Sequence, residues 1–335
     1  MMKRSLLPLF LTGCLTLDPL LPFHENIPCG EVDETTCEEV DDVWDKVCTQ
    51  CEEYETGPWW TAEYPWRETT LDSYETVRPI ESDIQRVPFV SEDGSYNLDA
   101  WYLPSHGEVP ALSDTLIIYN HGRYAGIEHY APRVRYLHEL GYAVFVWSYR
   151  GYGQSLPTDE NVSPSPPTTP EWIADAALAF EQAMAVAPDQ SKVIIYGMSV
   201  GGIPAGEQSD LFDACAQIYE ASYNSISAKV ETNISLRMPG SFVTSGLIEN
   251  EVKLADTTTP ALILHAENDD RIHINETLSL YEALPESLPK SLVIVESAGH
   301  GLGGNGGIPE QGLGSYGQIL LEFLENKAPS CLSND

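Results

Sequence analysis

Positive charge is what this chain is short of. Lysine and arginine together number 17 against 51 aspartates and glutamates, a formal net charge of −34 over 335 residues. So acidic a surface excludes nucleic acid as a partner, because neutralising phosphates takes a basic face. Electrostatic docking on anionic lipid is disfavoured for the same reason. Long apolar runs are also missing, and without a stretch of about 18 apolar residues no helix is expected to span a membrane. Neither a dinucleotide glycine fingerprint, a P-loop nor an H-E-x-x-H stretch occurs, so no cofactor and no metal is expected. Internal repeats are absent too. What the chain does hold is 42% apolar residues, with 7 Trp and 17 Tyr, enough for a large packed core in one or two domains.

Residues 1–13 read as a targeting segment. Lys3 and Arg4 supply a positive start, residues 6–11 a short apolar run broken only by Pro8, and Leu11-Thr12-Gly13-Cys14 follows. The stretch resembles a bacterial lipoprotein signal. That resemblance implies export to the cell envelope and diacylation of Cys14, which would anchor the protein on a membrane. The plainer alternative is a secretory signal in which Cys14 is incidental and the product is soluble. Residues 14–80 form an acidic extension carrying Trp59, Trp60 and Trp66. Six further cysteines, Cys29, Cys37, Cys48, Cys51, Cys215 and Cys331, suit disulfides in an exported chain, with too many possible connectivities to assign pairs. Zinc at Cys48-x-x-Cys51 is the rival reading, and it has only His24 nearby to complete a ligand set.

From residue 81 to about 330 the pattern alternates between strand and helix. Apolar residues at 87–90 and 96–103 flank Asp93-Gly94, a hairpin signal. The continuous apolar run at 116–119 suits a strand buried on both faces, and 142–147, 193–196, 218–221, 261–264 and 292–295 are expected as further strands. Between them Tyr130, Val134, Leu137 and Leu140 recur at helical spacing, closed by Gly141. Thr168 and Glu171 have capping-box spacing ahead of a stripe of Ile173, Ala177, Phe180 and Met184. A last helix covers 316–326. Strands alternating with helices predict an α/β fold, a mostly parallel central sheet with helices on both faces.

The segment with most chemical content is Gly197-Met198-Ser199-Val200-Gly201, directly after a strand. A serine on a sharp strand-to-helix turn needs room for strained backbone and close neighbours, which the glycines on either side provide. Four more stretches fall in order: Asn120-His121-Gly122-Arg123, then Tyr149-Arg150-Gly151-Tyr152-Gly153-Gln154-Ser155, then His265-Ala266-Glu267-Asn268-Asp269 at the end of a strand, then Ala298-Gly299-His300-Gly301. With these, residues 85–327 resemble the α/β-hydrolase superfamily. They are most similar to its small-lid esterases and to its monoacylglycerol-lipase-like and prolyl-oligopeptidase-like branches.

The resemblance implies a cofactor-independent serine hydrolase acting on a small-molecule ester, with a short-chain ester, an acylglycerol or a lysolipid as substrate. Ser199 would be the nucleophile, too weak alone and therefore dependent on a base, His300. A carboxylate must orient the imidazole; Asp269 is expected, with Asp270 one residue of register away and Glu267 third. The oxyanion would be met by the backbone amides of Val200 and Arg123, or of Tyr124 in place of Arg123. The Arg123 side chain could itself reach substrate, or only its amide could matter. His121 and His265 are read as structural. Arg150 is read as tying loops together, its usual ion pair missing because Ser148 stands where relatives often have an acid. The interval 222–260 is too short for a large cap, so a small lid is expected, with one or two helices including one over 225–236. A thioesterase, a peptidase of the prolyl-oligopeptidase type and a non-catalytic surface-binding protein are the alternative functions.

Overall fold

The computed structural model of the chain describes residues 83–332, apart from 124–125, 166, 188–191, 224, 226–248, 302–306 and 310–312. Residues 1–13, read above as a targeting segment, Cys14, the stretch 14–80 with its tryptophans, and Cys29, Cys37, Cys48 and Cys51 all lie outside the described residues. So do most of the 225–236 helix and Tyr124. Ser225 itself is described, in an isolated antiparallel bridge to Glu249.

Along the described chain the strands are Gln85–Arg86 (β1), Phe89–Val90 (β2), Tyr96–Leu98 (β3), Ala100–Leu103 (β4), Thr115–Asn120 (β5), Ala143–Trp147 (β6), Leu156–Pro157 (β7), Lys192–Met198 (β8), Ala216–Glu220 (β9), Ala261–Ala266 (β10) and Lys290–Val295 (β11). The helices are Ile127–Glu139 (α1), Thr169–Val186 (α2), Gly202–Leu211 (α3), Asn250–Lys253 (α4), Ile274–Ala283 (α5) and Leu313–Lys327 (α6). Eight strands form one sheet in the order β1-β4-β6-β5-β8-β9-β10-β11, antiparallel up to β6 and parallel from there on. The hairpin β2-β3 pairs with β7 in a separate small sheet.

Both faces of the large sheet are covered from β4 to β10, which explains the apolar runs there, while the edge strands β1 and β11 are exposed or half-buried. Successive residues of one strand enter opposite cores, as the two-residue strand period demands. Leu116, Ile118, Phe145, Ile195 and Ile263 pack with Trp172, Ala176 and Ala179 of α2, Ile203 of α3 and Leu280 of α5. Ile117, Tyr119, Val144, Ile194 and Leu262 pack on the other side with Val134 and Leu137 of α1 and Leu320 and Phe323 of α6. The α2 start has the expected reciprocal cap: Thr168 donates its amide to Glu171 Oε2 at 2.7 Å. Of the cysteines, Cys215 and Cys331 form a disulfide that ties the entry of β9 to the turn after α6.

One strand expectation needs correction. The run 96–103 is not a single strand; it divides at Asp99, with β3 in the small sheet and β4 in the large one. Asp99 is buried at the break, where its amide donates to Ser155 Oγ at 2.9 Å and its carbonyl accepts from Ser148 N at 2.8 Å. Apolar residues on both sides conceal such a change of sheet.

The topology also fixes where a site can form. From β5 the chain goes through α1 to β6 on one side, then through α2 back across to β8 on the other. At that switch the two connections diverge to opposite faces, and a crevice opens beyond the carboxyl ends of β5 and β8.

Candidate active site

Ser199 sits in that crevice. It follows β8, opens a single 3₁₀ turn over Ser199–Gly201, and leads into α3. Its φ is +55°, in the left-handed region that costs a non-glycine residue roughly 1–3 kcal/mol. Close packing accounts for the glycines flanking it. A Cβ on Gly201 would lie 2.1 Å from the Asn120 carbonyl oxygen, and one on Gly197 would lie 2.6 Å from the Gly201 oxygen. The turn after β5 and the turn after β8 therefore touch backbone to backbone. Beneath the serine, Ser222 Oγ is 3.1 Å from the carbonyl oxygens of both Gly197 and Ser199, a hydroxyl donor holding the strained turn.

Two loops from the far side of the sheet complete the arrangement. His300 Nε2 is 3.0 Å from Ser199 Oγ, and His300 Nδ1 is 2.8 Å from Asp269 Oδ2. A carboxylate can only accept, so Nδ1 carries a proton and Nε2 is left to accept the serine hydroxyl. The other Asp269 oxygen accepts amides from Arg271 and Ile272, both at 2.8 Å. Burial of Asp269 would push its carboxyl up, but the His300 bond and charge and these two amides outweigh it, and the group stays below its ordinary value. The loops are stitched together: Glu267 N donates to Val295 O and Asn268 N to Ala298 O, each at 2.9 Å. The Asp269 side chain is fully buried and Ser199 is 5% exposed, while the His300 side chain is 18% exposed, so the imidazole is the member open to solvent.

The neighbours in register diverge from this line. The Asp270 side chain is 77% exposed and lies 3.5 Å from Arg271. Glu267 accepts from Ser297 N at 3.2 Å, beside the line and not in it.

Comparison with known proteins bears on this geometry. The family described as serine aminopeptidase, S33 matches residues 112–207, from just before β5 through Ser199 into α3. The uncharacterized protein YfhR of Escherichia coli strain K12 is 25% identical over 224 residues, covering 64% of this chain and 73% of YfhR. The human alpha/beta hydrolase domain-containing protein 17B is 28% identical over 161 residues, 47% of this chain and 50% of that one. Among solved structures, the Pyrococcus furiosus esterase Pf2001 superposes with a TM-score of 0.53 at 19% identity, over 73% of this chain and 93% of the esterase. An alpha-beta hydrolase from Vibrio vulnificus gives 0.55 at 18%, over 78% and 86%. The fold is that of the α/β-hydrolases.

In this hydrolase fold the remaining expected residues are located as follows. Val200 is the residue after Ser199, inside the 3₁₀ turn. Arg123 is half-buried in the turn leaving β5. That turn is held rigidly: Asn120 Nδ2 donates to Tyr196 O and to Gln208 Oε1, and its Oδ1 accepts from Trp147 Nε1 at 2.9 Å. His121 is fully buried, stacked between Tyr149 and Tyr130 at 4.2 and 5.0 Å between ring centroids, and donates Nδ1–H to Gly122 O at 2.6 Å. Burial pushes its imidazole down to about 4 against the raising effect of that bond, so it stays neutral. His265 shares a 2.8 Å hydrogen bond with Thr277, and burial lowers its pKa as well. The ring hydrogen bonds given for these histidines go to Gly122 and Thr277, not to Ser199.

Arg150 needs correction. Its ion pair is present but comes from elsewhere in the chain. Nε and Nη2 grip Asp175 of α2 at 2.6 and 2.9 Å, while Nη1 reaches Asp93 of the hairpin at 2.7 Å and Ser95 at 3.0 Å. Sequence reasoning also missed a buried network below the site, in which Glu220 at the end of β9 takes Arg133 Nη1 at 2.6 Å and the Tyr196 hydroxyl at 2.5 Å. A carboxylate inside the apolar run of β9 was the available signal. Ser222 left no local signal, since only the topology brings it under the serine.

Proposed function

We propose that the protein is a serine hydrolase that cleaves carboxylic esters through an acyl-enzyme on Ser199. The hydrogen-bonded series Ser199–His300–Asp269 carries the proposal. As Ser199 Oγ attacks the ester carbonyl, its proton passes to His300 Nε2, and buried Asp269 stabilises the resulting imidazolium. The tetrahedral oxyanion is met by the amides of Val200 and Arg123, on the two turns that touch across the crevice. His300 returns the proton to the departing alcohol. A water then repeats the sequence on the acyl-enzyme, releasing the acid and restoring Ser199. Short-chain esters, acylglycerols and lysolipids are the substrates in view. A fluorophosphonate probe should label the wild type and not Ser199→Ala, and Ser199→Ala or His300→Ala should lower kcat by on the order of 10⁴-fold. Labelling that persists in Ser199→Ala overturns the assigned nucleophile.

The family name serine aminopeptidase supports a second reading, cleavage of a peptide or aminoacyl amide by the same groups. Aminoacyl 4-nitroanilides turned over faster than the matched 4-nitrophenyl esters would favour it. The targeting segment adds a proposed setting: export, with a lipid on Cys14 holding the enzyme at a membrane. Detergent-phase partition lost in Cys14→Ser supports the anchor, and unchanged partition refutes it.

A further inference from the structure

Six arginines fall among the described residues, and five are engaged. Arg150 holds Asp175 and Asp93, Arg133 holds Glu220, Arg271 lies beside Asp270, Arg86 stands 5.9 Å over the Trp101 ring, and Arg135 has its own partner. Arg123 alone makes no hydrogen bond or ion pair among the described residues. This is conspicuous in a chain with three acids for every base. A half-buried guanidinium gives up hydration, and proteins ordinarily recover that loss by pairing it. Its location is equally specific. Arg123 is on the turn whose backbone abuts the Ser199 turn. Its charge is felt at the hydroxyl of Tyr223, the residue after the Ser222 that supports Ser199, where the carboxylates of Glu276 and Asp269 and the charge of Arg271 act as well. It is felt too at Tyr152, in the loop after β6. Arg271 comes two residues after Asp269 and donates its amide to that carboxylate. Arg123 thus stands on the serine side of the crevice, while the Arg271 side chain lies beside Asp270.

We propose that the Arg123 guanidinium recognises a carboxylate carried by the substrate near its scissile carbonyl, so that the preferred substrates are anionic esters such as half-esters of short dicarboxylic acids. The proposal rests on the hydrolase reading above. It makes Arg123 a specificity-determining residue through its side chain, a role separate from that of its amide. A planar fork of donors matches a carboxylate in two parallel bonds, and this is the recognition that a neutral acyl chain cannot satisfy.

The test uses two matched pairs of esters with the full-length protein. On the acyl side these are 4-nitrophenyl hemisuccinate and 4-nitrophenyl butyrate; on the alcohol side, 4-acetoxybenzoate and phenyl acetate. The readout is the anionic-to-neutral ratio of kcat/KM within a pair. Both members of a pair use the same oxyanion amides, so any disturbance of the turn cancels in the ratio. In Arg123→Gln the ratio should fall about tenfold or more in at least one pair, and Arg123→Lys should recover much of it. A ratio in Arg123→Gln within about twofold of wild type in both pairs overturns the proposal while leaving the hydrolase reading intact. Folded wild-type protein that turns over none of the four esters overturns the ester-hydrolase reading and the proposal together.

Discussion

Arg150 and Arg123 leave the same edge of the sheet, at the ends of the neighbouring strands β6 and β5, and the fold treats them in opposite ways. Arg150 is surrounded: a bidentate grip on Asp175, a bond to Asp93 and one to Ser95 occupy its donors and tie the small sheet, the loop after β6 and α2 to one point. Arg123 is given nothing to hold among the described residues. The neighbouring carboxylates differ in the other sense: Asp269, held by three donors, is the one in line with the serine, and Asp270, in solvent beside Arg271, is not. Filled donors therefore tie Arg150 into the structure, whereas at Asp269 one of the donors is the imidazole itself, and being held is what aims that base at the serine.

The sharpest way to break this comparison is to exchange the two neighbouring carboxylates. Asp269→Asn should cost roughly 10³- to 10⁴-fold in kcat, because the amide cannot hold the Nδ1–H tautomer or stabilise the imidazolium. Asp270→Asn, changed one residue away in solvent, should stay within a few-fold. Equal losses in the two variants, measured as kcat on one ester, would erase the distinction between them.

The saturated cluster should respond in stability instead. Arg150→Met leaves the fully buried Asp175 carboxylate without its partner, an expected loss of about 3 kcal/mol or more at neutral pH by denaturant unfolding. Its kcat per folded molecule should hold. A stable Arg150→Met protein with altered kcat would move Arg150 from the structural side of the comparison to the catalytic one.

The smallest effect belongs to the outer member of that cluster. Asp93 is 46% exposed, so Asp93→Asn should cost only a few tenths to about 1 kcal/mol near pH 7. The Arg150 guanidinium holds the Asp93 carboxyl well below its ordinary value despite some desolvation. A carboxyl with a depressed native pKa stabilises fully above its unfolded value and loses that contribution as pH falls. The gap in melting temperature between wild type and Asp93→Asn should therefore shrink as pH drops below about 4. A gap that stays constant from pH 7 to pH 3 would remove the ion pair as its cause.

Sequence was most informative where chemistry and periodicity are local. Apolar runs located β5, β6, β8, β9, β10 and β11 to within two residues; in all but β9, which carries Glu220, and the half-exposed edge strand β11, cover on both faces left no alternation to misread. The series Ser199, Asp269, His300 was readable because each residue occupies a short turn of fixed shape directly after a strand. What escaped depends on distant parts of the chain meeting. Asp175 lies 25 positions beyond Arg150 and Asp93 57 before it, so searching beside Arg150, at Ser148, found no acid. Ser222 touches Ser199 only because β8 and β9 are adjacent in register. The break at Asp99 was hidden by the apolar residues on both flanks, which suit one long strand as well as two short ones in different sheets.

The Cys215–Cys331 bond closes a covalent ring around 116 residues of separation, and that ring encloses Asp269 and His300 but excludes Ser199. A crosslink over such a span removes about 4–5 kcal/mol of disorder from the unfolded chain in the entropy description. The acid and the base are thus kept on one tether even when the sheet loosens, while the alcohol belongs to the untethered part of the chain. In a reducing medium the tether opens and the unfolded chain regains that disorder, while the noncovalent pairing of β8, β9, β10 and β11 is left as it was.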